Sequence, residues 1–124
     1  MRLCSLYSGS SGNCIYIGSD QANILIDIGV STKKVVEALQ NVEIKPEEID
    51  AVLITHEHSD HIGGLGVFLR KYGIPVYGTA KTLEAVLNYK NIGKVDTGLF
   101  HSIHPEESFL IRDVYVKAIS TWHD

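Results

Sequence analysis

Ala51-Val52-Leu53-Ile54-Thr55-His56-Glu57-His58-Ser59-Asp60-His61-Ile62-Gly63-Gly64-Leu65 is the stretch on which the reading of this chain turns. Ala51 to Ile54 is an unbroken apolar run of strand-forming residues, and Ile62 opens a helical spacing. Between them, three of the chain's six histidines are crowded together with Asp60 and Glu57. The cluster therefore sits on a loop between a strand and a helix, where side chains stand on a rigid base and remain open to solvent. Imidazole and carboxylate suit Zn, Mn, Fe and similar divalent ions, and the lack of a nearby thiolate argues against an iron–sulfur cluster. In an extended segment His56 and His58 project to the same side and can grip one ion, while a turn through Ser59 aims Asp60 and His61 toward a second. Two ions roughly 3.5–4 Å apart can share a hydroxide nucleophile and stabilise both the attacked and the leaving oxygens. Glu57 points away from its neighbours and reads as a solvated carboxylate. The bland alternative is a histidine-rich loop without metal, but His-x-His-x-Asp-His is far more specific than a lone histidine pair.

Working outward, Arg2 to Tyr7 reads as a strand, Ser8 to Asn13 as its turn and Asn13 to Gly18 as the return strand, a hairpin at the edge of a sheet. The turn Ser8-Gly9-Ser10-Ser11-Gly12-Asn13 has two glycines and free backbone amides that can approach an anionic phosphate, though an ordinary flexible turn has the same composition. Ala22 to Ile28 predicts a third strand, with Ile24, Leu25 and Ile26 suggesting burial on both faces. Asp27 ends that apolar run and needs donors or solvent. A helix follows from Ser31 to Gln40, with Ser31 as N-cap and Val35, Val36 and Leu39 inward. Beyond the histidine loop, Ile62, Leu65, Phe68, Leu69 and Tyr72 recur at helical spacing. Gly63, Gly64 and Gly66 fit a place where backbone crowds the site, or a loosely formed first turn. A strand over 74–78, a helix over 79–89, a strand over 99–103 and a hairpin of 108–111 with 114–120, turned at Arg112-Asp113, complete an α/β pattern. His101 and His104 belong to no motif, and Trp122 reads as packing.

With these residues in view, His56-x-His58-x-Asp60-His61 after an apolar strand resembles the signature of the metallo-β-lactamase-fold metallohydrolases. Leu6-Tyr7-Ser8-Gly9-Ser10-Ser11-Gly12-Asn13, Leu25-Ile26-Asp27-Ile28-Gly29, Thr55 to Ile62 and the closing His123-Asp124 extend the resemblance from Leu3 to Asp124. Together they are similar to the YycJ/WalJ branch, which is linked to DNA exonuclease activity and is related to PhnP-type phosphodiesterases and RNase Z. The resemblance implies an α/β chain forming the first half of an αββα metallo-β-lactamase sandwich, a mixed sheet with helices on one side, so that residues 1–124 are a truncated domain.

It further implies that His123 joins His56 and His58 in a three-histidine site with a fourth position open for water. Asp60, also the catalytic candidate, and His61 would serve a second ion, with Asp27 supporting the loop from behind. The intact family holds two divalent ions, Zn or Mn, of which this chain can be expected to hold one. A bridging Asp and a further His expected downstream are missing. The implied function is hydrolysis of phosphodiesters, with nucleic acid favoured, by a metal-activated hydroxide. The alternatives are a small thioester or lactam hydrolase of the same fold, and a non-catalytic metal-binding fragment. Without a second half, apolar surface would be exposed and self-association is expected.

The composition sets bounds. A chain of 124 residues is one ordinary domain, and 44% hydrophobic with 21% charged residues is typical of soluble globular proteins. The net charge of −4 provides no global basic field for nucleic acid, although bound ions and a few Lys or Arg can supply positive charge locally. Cys4 and Cys14, in a chain whose start lacks the apolar core of a signal peptide, are expected to be reduced and packed, in the cytoplasm. No apolar run approaches the roughly 18 residues that span a bilayer, so no membrane partner is expected.

Overall fold

In the computed structural model, which describes residues 1–119, the mixed sheet follows the hydrophobic pattern closely. Strands β1 (Arg2–Tyr7), β2 (Cys14–Gly18) and β3 (Asn23–Ile26) are antiparallel neighbours, and β4 (Ala51–Leu53), β5 (Val76–Thr79) and β6 (Phe100–Ile103) continue from β3 in parallel. The order across the sheet is β1 to β6 in sequence. Each parallel step needs a crossover. These are α1 (Thr32–Asn41), then the pair α2 (Ser59–Ile62) and α3 (Leu65–Tyr72), then α4 (Ala80–Leu87). Strands β7 (Ser108–Ile111) and β8 (Val114–Lys117) form a separate antiparallel hairpin.

Two apolar layers divide the molecule. On one face of the sheet, Leu25, Val52 and Val76 pack with Val35 and Leu39 of α1, Leu65, Phe68 and Leu69 of α3, and Leu83 and Val86 of α4. On the other face, Ile24 and Ala51 meet Ile111 and Val114 of the β7–β8 hairpin, with no helix among the described residues contributing. The alternation of Ile24 and Leu25 in β3 thus explains its burial on both faces, because successive strand residues point to opposite sides. The hairpin is tied down by Arg112 Nε donating to Asp50 Oδ1 at 2.8 Å and by the Ser19 hydroxyl donating to Asp113. This is the expected α/β arrangement, a mixed sheet with its helices on one side.

Differences from expectation lie at element ends. Ser31 caps α1 by accepting from the Lys34 amide at 3.3 Å, as its position predicts, but Val36 is only half-buried. Strand β3 stops at Ile26 because Asp27 adopts a left-handed φ of 63° that no strand accommodates. The helical stripe beyond the histidines is two helices, not one. Gly63 and Gly64 separate α2 from α3, and a Cβ on Gly64 would lie 1.7 Å from the Val30 carbonyl oxygen. Gly66 is likewise pressed on the Ile92 carbonyl, so the crowding behind these glycines comes from neighbouring loops. No helix among the described residues is long and apolar enough to cross a membrane.

Candidate metal centre

The site forms where the adjacent parallel strands β3 and β4 end. Ile26 pairs with Leu53, and the Asp27 amide donates to the Leu53 carbonyl at 2.8 Å, so the residues that follow each strand emerge side by side. Ligands of open α/β sheets collect outside the carboxyl ends of strands for this reason. Asp27 and Thr55 therefore meet although 28 residues separate them.

Asp27 is the hub. It is only 4% exposed, and its carboxylate accepts from the Thr55 amide at 2.8 Å and the Thr55 hydroxyl at 2.5 Å. His61 Nδ1 lies 2.6 Å from Asp27 Oδ2. A carboxylate accepts only, so His61 donates through Nδ1 and its Nε2 carries the ring's lone pair in the neutral form. Thr55 spends its single hydroxyl proton on Asp27, so the 3.0 Å contact between Thr55 Oγ1 and His56 Nδ1 is donated by the histidine. The same reasoning makes Nε2 the acceptor nitrogen of His56. One buried carboxylate thus sets the tautomers of two histidines, one directly and one through a hydroxyl.

Asp60 and His61 occupy the first turn of α2, and His58 is the residue that precedes it. Asp60 Oδ2 lies 3.7 Å from His61 Nε2, and the ring centroids of His56 and His61 are 4.8 Å apart. The His56 and His58 rings are 6.1 Å apart, with His58 outermost and its side chain 71% exposed beside Glu57. His61 therefore stands next to both Asp60 and His56, and closer to His56 than His58 does. Among the described residues no set of three His, Cys, Asp or Glu side chains already stands in the arrangement of a metal site. The donor types fit a divalent ion, since imidazole nitrogens and a carboxylate oxygen suit such ions, and Asp27 orients His61 directly and His56 through Thr55, as partners behind metal ligands do. His123, the expected third histidine, lies outside the described residues, as do Asp124 and Trp122.

Other candidates fall away from the site. His101 stacks on Tyr77 with centroids 5.1 Å apart, and His104 is exposed. Cys4 and Cys14 are free thiols, with Cys14 fully buried. Two participants were missed in the sequence. Thr55 borders the motif and could have been found by asking what orients His56. Asn13, read as the end of a turn, reaches the backbone and side chain of Asp60 from 47 residues away, and nothing local announces that contact. Gly29 makes room for the junction, because a Cβ there would stand 1.8 Å from the Asp60 carbonyl oxygen.

The fold is α/β, a mixed sheet with helices on one face, and it gathers a histidine and aspartate cluster at the carboxyl ends of its central strands. The family model of the metallo-beta-lactamase superfamily matches residues 7–121, and the chain belongs to that superfamily. It is 43% identical over 119 residues to exodeoxyribonuclease WalJ of Streptococcus pneumoniae, covering 96% of this chain and 44% of that protein. It is 37% identical, with the same coverage, to exodeoxyribonuclease YycJ of Bacillus anthracis. The chain thus spans less than half the length of these relatives. The structure of the metallo-β-lactamase SMB-1 in complex with mercaptoacetic acid superposes with a TM-score of 0.75 at 18% identity, covering 96% of this chain and 52% of that one, a likeness of fold.

Proposed function

We propose that this chain is the N-terminal, ligand-bearing half of a metal-dependent phosphodiester hydrolase that acts on DNA as an exonuclease. The observation that carries the metal reading is the Asp27 network, in which one buried carboxylate orients His61 directly and His56 through Thr55. Buried carboxylates that fix histidine tautomers are characteristic of metal sites. The choice of DNA rests on the relatives named as exodeoxyribonucleases, which match 96% of this chain. In this reading His56, His58 and His123 hold one ion, Asp60 and His61 contribute to a second, and Asp27 and Thr55 orient them. When bound, divalent ions of the zinc or manganese type supply Lewis acidity and activate water near neutral pH. The chain's own groups bind and orient. The His56 and His61 rings are held in one tautomer, and Asp60 contributes negative charge at the mouth of α2. The Ser8–Gly12 turn adjoins Asp60 through Asn13, and its Ser10 and Ser11 amides have no hydrogen-bond partner among the described residues, which suits a phosphate.

The test is metal content per chain of the purified, monodisperse intact protein, paired with hydrolysis of bis-nitrophenyl phosphate and of end-labelled DNA. Metal uptake, with turnover of both substrates lost in His58→Ala, is the expected result. Absence of bound metal, or turnover indifferent to His58→Ala, would overturn the reading. Turnover of a thioester or lactam with none of the phosphodiesters would move the function to another hydrolase of the same fold.

A further inference from the structure

We propose that Asn13 is a positioning residue for Asp60, tying the Ser8–Gly12 turn and the carboxylate of the metal loop into one unit. The inference rests on the reading of Asp60 as a metal ligand and assigns what holds that ligand in place. Asn13 uses its amide on both sides. Its Oδ1 accepts from the Gly9 amide at 3.1 Å, and its Nδ2 donates to the Gly9 carbonyl at 2.9 Å, the Asp60 carbonyl at 3.0 Å and Asp60 Oδ2 at 3.3 Å. The orientation of the amide is determined by its surroundings. Three oxygens face Nδ2 and one N–H faces Oδ1, so a flipped amide would set acceptor against acceptor.

The backbone reinforces the side chain. The Asn13 amide donates to the Asp60 carbonyl at 2.7 Å, and the Asn13 carbonyl accepts from the Gly29 amide at 2.9 Å. Gly12, next to it, has a φ of +144°, and a Cβ there would lie 2.7 Å from the Gly29 carbonyl oxygen, so the turn is pressed against the segment that follows β3. Asp60 Oδ2 is consequently approached by Asn13 Nδ2 and, at 3.7 Å, by His61 Nε2. The first contact limits the rotation of a carboxylate whose side chain is 31% exposed and would otherwise be free to swing toward solvent. No other side chain provides the same combination. Aspartate has no donor for Asp60, and serine or alanine does not reach. A ligand that moves the Ser8–Gly12 turn is felt at Asp60 through the same amide.

The experiment titrates Mn2+ or Zn2+ alone into the intact protein against a fluorescent chelator. It compares wild type, Asn13→Ala, Asp60→Ala and the double variant, with circular dichroism and melting temperature of the metal-free forms as the control for folding. Asn13→Ala is expected to weaken one metal-binding step by about tenfold or more, in the range lost with outer partners of metal ligands, and to have no further effect once Asp60 is alanine. Should Asn13→Ala fail to fold, Asn13→Leu keeps the shape of the side chain while withdrawing the Nδ2 donor from Asp60 without adding a charge or a ligand, and the same weakening is expected. An unchanged affinity in these Asn13 variants, with Asp60→Ala impaired, overturns the role of Asn13. An unchanged affinity in Asp60→Ala overturns the underlying reading of Asp60 as a ligand.

Discussion

At the level of single residues, the charge on Asp27 affects more than the histidines it orients. Burial first, and then the negative charge of Asp27, push the Cys14 thiol from its ordinary 9.0 up to about 12. In the unfolded chain this thiol ionises at its ordinary value, whereas the folded chain keeps it protonated. Its contribution to stability is therefore fully present below pH 9.0 and is lost as pH rises toward about 12. Iodoacetamide at mildly alkaline pH should label Cys4, which is partly exposed, and spare Cys14 until the chain is unfolded in urea. Peptide mapping by mass spectrometry reads this directly, and equal labelling of the two in the native state would contradict the buried, neutral thiol.

At the level of elements, the site is a junction of three segments whose backbones interlock. The Ile28 amide donates to the His61 carbonyl at 2.9 Å, the Gly29 amide to Asn13 at 2.9 Å and the Gly64 amide to the Ile28 carbonyl at 2.9 Å. The Asp27–Gly29 segment is thus threaded between the β1–β2 turn and α2. Gly29→Ala would drive a Cβ into the Asp60 carbonyl, and overpacking against backbone that cannot yield should cost about 3 kcal/mol. A urea titration checks this, and a midpoint matching wild type would mean that the junction is looser than its contacts indicate. A second element-level test uses Thr32 at the start of α1, whose buried hydroxyl has no hydrogen-bond partner among the described residues. Thr32→Val keeps the shape and removes the unsatisfied group, so stability should stay level or rise by up to about 1 kcal/mol in the same titration.

These junctions also show which parts of the structure were legible in the sequence. Strands and helices declared themselves through their periods, and the ligand cluster through its spacing, because both are short-range patterns. The donors that orient the ligands come from far along the chain. Asp27 could be marked as a carboxylate in need of partners, but that Asn13 would be its counterpart for Asp60 follows only from the register of β1 to β4. The division between α2 and α3 was hidden for a similar reason, since Gly64 yields to a carbonyl of the loop before α1.

At the level of the whole molecule, the two faces of the sheet are unequally covered. The helical face carries the main core, while among the described residues the opposite face meets only the β7–β8 hairpin, leaving a cleft of about 620 Å³ lined largely by Ile17, Ile24, Ile26, Leu53, Tyr77 and Val116, with Thr55 and His56 also on its wall. Nearby Leu110 and Tyr115 are 54% and 77% exposed. Contiguous apolar surface of this kind on a soluble domain is normally covered by another element or another chain. The chain by itself should therefore self-associate and bind a hydrophobic dye at the cleft, as seen by light scattering after size exclusion and by dye fluorescence. Tyr115→Lys places a charge at the cleft without disturbing a buried contact, so it should shift the distribution toward monomer and leave the circular dichroism spectrum unchanged. A wild-type chain that stays monomeric as concentration rises, and does not enhance the dye, would show that the hairpin alone suffices to cover this face. Because His56 lies on the wall of the same cleft, whatever fills it also sets how much water reaches the histidines. Metal affinity of the isolated chain should then depend on its concentration, rising as association dries the cleft and strengthens electrostatic contacts within it.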